Sequence, residues 1–155
     1  MVEGMGLAGR VLFLGQRDDV PELMAGSDLL ALPSLFEGLP LSALEAMAAG
    51  LPVVGTRVCG TSEAVLDGVT GRLVEPGDPE ALAEAIVEVL QAPGLAARMG
   101  AAGRLRVERE FGAARMACET AAIYEELRAR AGQSNFRFWI LEFGSMAPVN
   151  PKSEI

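Results

Sequence analysis

Short apolar runs alternate with stretches of helical periodicity along this chain, and the alternation predicts strand–helix–strand units. Two wholly apolar runs occupy residues 11–14 and 29–32, and further strands are expected from Val53 and at Gly71–Val74. Continuous apolar runs are typical of parallel strands that are buried on both faces. The pattern therefore predicts an α/β fold with an incomplete, doubly wound parallel sheet of about four strands and flanking helices.

Helices are predicted at residues 20–26, at 40–49, around Glu63, from Pro79, at Pro93–Glu110 and at Ala113–Ala131. Asp78 is the expected N-cap of the helix that opens at Pro79. Apolar positions at helical spacing are expected to pack against the sheet. They are Leu41, Leu44, Ala48 and the neighbouring Met47, then Leu82, Ile86, Val89 and Leu90, and finally Ile123, Tyr124 and Leu127. The charged side chains expected on a solvated face are Arg104, Arg106, Glu108 and Arg109.

The stretch at residues 33–56 carries the candidate chemistry. Gly38 permits a close approach of the backbone, Pro40 suits the first helical position, and Gly50 is placed to end the helix. The first N–H groups of such a helix have no intrahelical acceptor, and its positive dipole end faces the carboxyl edge of the sheet. This end of the helix is therefore a candidate phosphate site.

Two carboxylates flank the predicted helix start. Glu37 lies in the turn, and Glu45 follows Pro40 by five residues, which places it about 7 to 8 Å further along the axis. Carboxylates repel phosphate and accept hydrogen bonds from hydroxyl groups. A diphosphate with a sugar at one end and a ribose at the other fits this arrangement. On the spacing of Glu37 and Glu45 alone, an ordinary helix start with two solvated glutamates is the favoured alternative.

The full string P-S-x-x-E-G-x-P-x-x-x-x-E-A-M-A-x-G-x-P-V-V resembles the donor-binding core of GT-B glycosyltransferases, specifically the retaining group 1 (family 4) type. The likeness extends upstream and downstream, over about residues 9–130. It implies a partial Rossmann-like nucleotide-sugar-binding domain at residues 9–131. The aromatic-rich tail at 132–155 shows no family pattern. It is interpreted either as a segment that packs on another domain or as a disordered or foreign one.

The resemblance implies transfer of a sugar from a nucleotide diphosphate sugar to an acceptor, with retention of configuration. It implies that Glu37 contacts the donor sugar and supports charge that develops during transfer, and that Glu45 accepts hydrogen bonds from ribose. The other donor-binding candidates are Gly38, Leu39, Pro40, Leu41, Gly60 and, in the loop after the first predicted strand, Gly15, Gln16 and Arg17. For that loop, a solvated turn is the alternative.

Similar enzymes carry Gly-Gly where this chain has Cys59-Gly60, and Gly60 with Thr61 is expected to cap the short helix around Glu63. If residue 59 required a positive φ, its cysteine would cost on the order of 1 kcal/mol. Cys59 is therefore left out of the predicted site.

The resemblance also implies missing parts: the N-terminal GT-B domain, which supplies the acceptor site, and the first two strands of the donor domain. In the doubly wound order those strands separate residues 11–14 from residues 29–32. The chain is then expected to close that gap, or to form a homo-oligomer through an exposed sheet edge or strand exchange. Alone, it is not expected to transfer sugar.

The composition argues against several classes of partner and of catalysis. The net charge of −8 argues against nucleic acid and against an anionic bilayer. The absence of histidine excludes Ser-His-Asp and Cys-His catalysis within the chain, and two separate cysteines indicate neither a zinc site nor a disulfide framework. No metal and no cofactor are expected, only the nucleotide sugar as substrate. Cytoplasmic location is the expectation, with peripheral membrane association open for the full-length enzyme.

The acceptor is left open as a sugar, a lipid or another small molecule. Three rival functions are also kept. One is a non-catalytic nucleotide-sugar-binding or regulatory module, and the second is a nucleotide-sugar epimerase of the same architecture. The third is a purely structural Rossmann fragment, which predicts no nucleotide affinity.

Overall fold

The computed structural model describes residues 2–131 of the chain, so that the tail interpreted above lies outside the described residues. A short 3-10 helix, Glu3–Met5, precedes six α-helices and three strands. In chain order these are α1 (Val20–Ala25), β1 (Leu30–Leu32), α2 (Leu41–Ala48), β2 (Val53–Thr56), α3 (Cys59–Ala64), β3 (Gly71–Val74), α4 (Pro79–Gln91), α5 (Pro93–Glu110) and α6 (Ala113–Ala131).

The three strands form one parallel sheet in the order β1-β2-β3, and the predicted α/β class is confirmed. Leu30 pairs with Val53, and Val53 in turn pairs with Gly71. The central strand β2 begins at Val53, as predicted, and is buried along its whole length. In β1, by contrast, Ala31 is exposed, so the prediction of a strand covered on both faces is wrong there.

Residues 11–14 do not form the predicted buried strand, and the sheet has three strands rather than about four. Val11 makes only an isolated bridge with Ala8, while Leu12, Phe13 and Leu14 are 73%, 84% and 50% exposed. An apolar run becomes a strand only where a neighbour supplies hydrogen bonds and cover. Within residues 2–131, no strand pairs with the outer edge of β1, so the predicted gap is not closed by this segment.

The core has a cluster on each face of the sheet. One contains Ala43, Ala46, Met47, Leu51, Val53, Ala64, Val65 and Leu73, and the other contains Val54, Ala85, Val89 and Met99. The consecutive residues Val53 and Val54 enter different clusters because successive side chains of a strand point to opposite faces.

The C-terminus of α2 is fixed by Gly50, as predicted. Gly50 has a φ of +83°, and its N–H donates to the Met47 carbonyl at 3.0 Å. The N–H of Leu51 donates to the carbonyl of Ala46 at 2.9 Å, which completes a Schellman motif. A Cβ on Gly100 of α5 would lie 1.9 Å from the Gly50 carbonyl oxygen, so α5 crosses this end of α2 in backbone contact.

The buried face of α2 agrees with the predicted one in part. Met47 is fully buried and Leu44 packs against the same core cluster, as predicted, but Leu41 is 67% exposed and Ala48 is also exposed. Ala43 and Ala46, which were not predicted, are fully buried. Met47 packs against α5 at Gly103, where a Cβ would lie 3.3 Å from the Met47 side chain, so the absence of a side chain at Gly103 makes room for Met47.

In α4, the predicted cap and most of the packing face are confirmed. The Asp78 carboxylate accepts from the N–H of Ala81 at 2.9 Å. Val89 is fully buried, and Leu82 and Ile86 pack beside it, but Leu90 is 50% exposed, so its assignment to this face is wrong. The apolar side of α6 exists in the sequence, yet Ile123 and Leu127 remain 58% and 54% exposed among the described residues.

Arg106 was predicted on a solvated face and instead lies against α3. Its side chain is 16% exposed, and its guanidinium donates to the carbonyls of Ala64 at 3.0 Å and Glu63 at 2.9 Å. Glu110 pairs with it at 2.6 Å, and the Phe111 ring lies 5.4 Å from its central carbon. The cation thus satisfies the carbonyl end of α3.

Candidate functional site

The turn between β1 and α2 contains most of the predicted site residues. Pro40 is buried and has φ −72° and ψ 104°, so it is the N-cap residue and α2 begins at Leu41, one residue later than predicted. No acceptor among residues 2–131 takes the backbone N–H groups of Gly38, Leu39, Leu41 and Ser42. These donors therefore remain available to a ligand at the start of α2.

Glu37 is held at both its side chain and its main chain. The hydroxyl of Ser34 donates to Oε1 of Glu37 at 2.7 Å, and the N–H of Gly60 donates to the Glu37 carbonyl at 3.3 Å. The Glu37 side chain is half-buried, and neighbouring Leu35 and Phe36 are 76% and 81% exposed. One carboxylate is thus fixed beside the open N–H groups.

Gly60 belongs to the same constellation through direct backbone contact. A Cβ on Gly60 would lie 1.4 Å from the carbonyl oxygen of Gly38 and 2.9 Å from the Leu39 nitrogen. Gly60 and Thr61 lie inside α3, whose N-cap is Val58, so the prediction that they cap the helix is wrong. No non-glycine residue in the described part of the chain has a positive φ, so the strain considered for Cys59 does not arise.

Glu45 lies on α2 and is exposed, and its carboxylate has no hydrogen-bond or ion-pair partner among the described residues. Leu39 and Leu41 are 43% and 67% exposed. Along the chain, the open N–H groups thus lie between the anchored carboxylate of Glu37 and the unpaired carboxylate of Glu45, and Leu39 and Leu41 are exposed beside them.

The loop that contains Gly15, Gln16 and Arg17 is exposed, and no hydrogen bond or ion pair within residues 2–131 joins it to the α2 turn. Arg17 instead pairs with Asp19, with Nε 2.6 Å from Oδ1. The hydrogen bond from the guanidinium lowers the pKa of the Asp19 carboxyl below its usual value. The structure thus brings Glu37, Gly38, Leu39 and Gly60 together but leaves this loop apart.

Two further residues had no predicted role in the site, Ser34 in the turn and Thr56 at the end of β2. Thr56 ends β2, is 4% exposed, and donates its hydroxyl to the carbonyl of Ser34. Ser34 in turn donates to Glu37. Both hydroxyls are visible in the sequence, but only the pairing register of β1 and β2 shows that they meet.

A shallow cavity of about 410 Å³ lies elsewhere, between β3 and α4. Three of its four charged side chains have partners: Arg72 pairs with Glu88 at 2.9 Å, and Asp67 pairs at 2.8 Å with Arg57, which lies outside the lining. Glu84 also lines it and has no hydrogen-bond or ion-pair partner among the described residues. Burial acts to raise the pKa of Asp67, but the hydrogen bonds from Arg57 and from the Leu73 amide outweigh it, and the pKa is lowered. This cavity contains none of the predicted site residues.

No group of three or more His, Cys, Asp or Glu side chains within 2–131 is arranged to hold a metal ion. Cys59 and Cys118 are both free thiols and exposed. No helix in this part of the chain is both long and apolar enough to cross a membrane.

The sequence and the fold of this chain match one family of enzymes. The sequence profile of the family described as Glycosyl transferases group 1 matches residues 1–92. The chain belongs to that family, as the resemblance in the sequence predicted. Its three-stranded parallel sheet with flanking helices corresponds to part of the Rossmann-like C-terminal domain of the GT-B glycosyltransferases.

Individual relatives agree with this assignment. N-acetyl-alpha-D-glucosaminyl L-malate synthase from Bacillus anthracis is 39% identical over 127 residues, which are 82% of this chain and 33% of that protein. Sucrose-phosphate synthase from Thermosynechococcus elongatus superposes with a TM-score of 0.79 and 36% identity, over 83% of this chain and 33% of that one.

A third similar protein is known with ligands. Anabaena Alr3699/HepE, solved in complex with UDP-glucose, superposes with a TM-score of 0.77 and 32% identity, over 81% of this chain and 35% of that one. The same protein has also been solved in complex with UDP. The chain thus spans about a third of the length of the relatives that it matches.

Proposed function

We propose that this chain is the donor-binding portion of a retaining glycosyltransferase, which moves a sugar from a nucleotide diphosphate sugar to an acceptor. The observation that carries the proposal is the set of unpaired N–H groups at Gly38, Leu39, Leu41 and Ser42, next to the anchored carboxylate of Glu37. N–H groups at a helix start bind a diphosphate, and the helix dipole adds a favourable field.

Each carboxylate has a separate role in the proposal. Glu45 accepts hydrogen bonds from the ribose hydroxyls, which its exposed, unpaired state supports. Glu37 contacts the donor sugar and stabilises positive charge that develops as the bond to the diphosphate breaks. Glu37 is not a nucleophile here, because retention is proposed to follow attack of the acceptor from the same face as the departing diphosphate.

The departing diphosphate carries the negative charge. The N–H groups at the start of α2 are its proposed electrostatic stabilisation, since fixed donors need no reorganisation when the charge develops. Pro40 and Leu41, at the start of the same helix, are proposed to line the site beside these N–H groups. Gly15, Gln16 and Arg17 belong to the proposal only in a state in which Arg17 leaves Asp19 and turns toward the nucleotide.

The relatives guide the choice of donor. Anabaena Alr3699/HepE has been solved with UDP and with UDP-glucose, so a uridine diphosphate sugar is the first donor to test. The proposal includes an N-terminal GT-B domain as the missing partner, a sugar, lipid or small-molecule acceptor, and no metal or cofactor. A cytoplasmic location, with peripheral membrane contact of the longer enzyme, is consistent with two free thiols.

Calorimetric titration of the chain with UDP and UDP-glucose tests the donor role. Glu45→Ala is expected to weaken both ligands by roughly tenfold, because each loses ribose hydrogen bonds to a charged acceptor. Glu84→Ala is the matched control, since Glu84 is also an exposed, unpaired glutamate in a helix interior. Absence of UDP binding by the unmodified chain, or equal effects of the two substitutions, would contradict the proposal.

A second experiment separates an enzyme from a non-catalytic binding module. The N-terminal domain of a group 1 relative is supplied in trans, and transfer or hydrolysis of UDP-glucose is measured. Activity that depends on both parts and is lost in Glu37→Gln supports the enzyme. Donor binding without any restored turnover supports the binding module.

A further inference from the structure

We infer that Thr56 and Ser34 are positioning residues that fix the Glu37 carboxylate from the end of β2. β1 ends at Leu32, and the last pair in register between β1 and β2 is Leu32 with Gly55. The ladder between these two strands therefore stops one residue before Thr56.

The Thr56 hydroxyl takes over where the backbone bonds end. It donates to the carbonyl of Ser34, and its oxygen lies 3.5 Å from the carbonyl oxygen of Leu32. Thr56 is 4% exposed, so its hydroxyl is largely shielded from bulk water. The Ser34 contact is part-buried, and a carbonyl shielded from water is costly without a donor, so this hydrogen bond holds the backbone of Ser34 in place.

From Ser34 the constraint passes to Glu37. The Ser34 hydroxyl donates to Oε1 of Glu37 at 2.7 Å, and the Gly60 N–H holds the Glu37 carbonyl at 3.3 Å. The side chain of a glutamate has three rotatable bonds and is disordered by default on a surface. Here one main-chain contact and one side-chain contact select a single orientation, and the buried Thr56 anchors the donor of the second contact.

We call the two hydrogen bonds from Thr56 to Ser34 and from Ser34 to Glu37 the relay. Two substitutions each remove one of these hydrogen bonds with little change in the shape of the side chain. Ser34→Ala removes the donor to Glu37, and Thr56→Val keeps a β-branched side chain but removes the hydroxyl. Thr56→Ser keeps the hydroxyl and is the rescue variant. The controls are Thr70→Val, which removes a buried hydroxyl that accepts from the Leu66 N–H at 2.9 Å, and Ser27→Ala, which removes a hydroxyl bonded to the Leu23 carbonyl at 2.7 Å.

The first readout needs no ligand. Three-bond NMR couplings of Glu37 are expected to report one χ1 rotamer in the unmodified chain, in Thr56→Ser and in both controls. They are expected to report rotamer averaging in Ser34→Ala and Thr56→Val. Couplings of Glu37 that stay unchanged in either of these two variants would overturn the inference, whether or not the chain binds nucleotide.

The second readout rests on the proposed function of Glu37. The ratio of UDP-glucose affinity to UDP affinity is expected to fall by roughly three- to tenfold in Ser34→Ala and Thr56→Val, and to recover in Thr56→Ser. If the unmodified chain binds UDP-glucose no better than UDP, the proposed contact of Glu37 with the donor sugar is overturned. The positioning of Glu37 by Ser34 and Thr56 is then judged by the NMR couplings alone. Averaged couplings with an unchanged ratio would show that the relay does not position Glu37 for the donor.

Discussion

The carbonyl oxygen of Gly38 lies 1.4 Å from the point that a Cβ atom on Gly60 would occupy. The α2 turn and the start of α3 are thus in backbone contact, and the Gly60 N–H also donates to the Glu37 carbonyl at 3.3 Å. Only glycine permits this approach. The proposed donor site consequently depends on α3 as well as on α2.

Gly60→Ala is expected to destabilise the chain by about 1 to 3 kcal/mol, because the added methyl group must push the Gly38 peptide away. It should also weaken UDP binding, since the N–H of this Gly38–Leu39 peptide is one of the open donors. Urea unfolding and calorimetric titration measure the two effects.

Gly94→Ala is the matched control for Gly60→Ala. Gly94 is likewise the second residue of a helix, and a Cβ there meets nothing within 4 Å. Its unfolding free energy should change by less than about 1 kcal/mol, with UDP affinity unaltered. Similar effects of the two substitutions would show that the contact seen at Gly60 is not close in solution.

Cys59 offers a chemical probe of the same site. It is exposed, precedes Gly60 at the start of α3, and has an exposed counterpart in Cys118 on α6. If the donor occupies the α2 turn, saturating UDP should slow alkylation of Cys59 by N-ethylmaleimide and leave Cys118 unaffected. Peptide mass spectrometry follows both thiols in one sample. Equal rates at Cys59 with and without UDP would place the nucleotide elsewhere.

Local signals in the sequence predicted much of the fold. The strand Gly71–Val74 and the helices Pro93–Glu110 and Ala113–Ala131 have the predicted bounds. The Asp78 cap and the Gly50 terminus are also confirmed. These features depend on residues close in sequence, such as a capping carboxylate or a glycine with positive φ, so a single chain is enough to predict them.

Features that depend on distant partners were not predictable in the same way. Residues 11–14 have the composition of a buried strand but find no partner among the described residues. The close backbone contact between α5 at Gly100 and the end of α2 joins residues fifty positions apart, and Arg106 lies against α3 although its neighbours in sequence are charged. For the candidate site, the sequence predicted Glu37, whereas the hydrogen bond from Ser34 depends on strand register.

Asp67 is expected to make stability depend on pH. Its pKa is lowered in the folded chain, where Arg57 and the Leu73 amide donate to the carboxylate. Such a group stabilises the fold above its unfolded pKa of about 3.9, and the contribution is lost as pH falls through the lower folded value. Asp67→Asn should therefore reduce the loss of unfolding free energy between pH 6 and pH 3, measured by urea titration.

Asp18→Asn is the control for that titration. Asp18 is an exposed carboxylate without a hydrogen-bond or ion-pair partner among residues 2–131, so its removal should leave the pH dependence unchanged. A pH dependence that is the same in Asp67→Asn and in the unmodified chain would mean that the contacts with Arg57 do not form in solution.

Arg106 and Arg104 lie on the same helix and should differ sharply in their effect on stability. Arg106 donates to two carbonyls at the end of α3 and is 16% exposed, whereas Arg104 is 63% exposed and, within residues 2–131, pairs only with Glu108. Arg106→Met leaves both carbonyls without their charged donor and is expected to cost about 2 to 3 kcal/mol. Arg104→Met should cost less than about 1 kcal/mol, because exposed ion pairs contribute little.

Urea unfolding measures the loss of unfolding free energy in both variants. In 1 M salt, the small loss caused by Arg104→Met should become smaller still, whereas most of the loss caused by Arg106→Met should remain. Equal losses for the two variants would mean that Arg106 is solvated, as the sequence alone predicted.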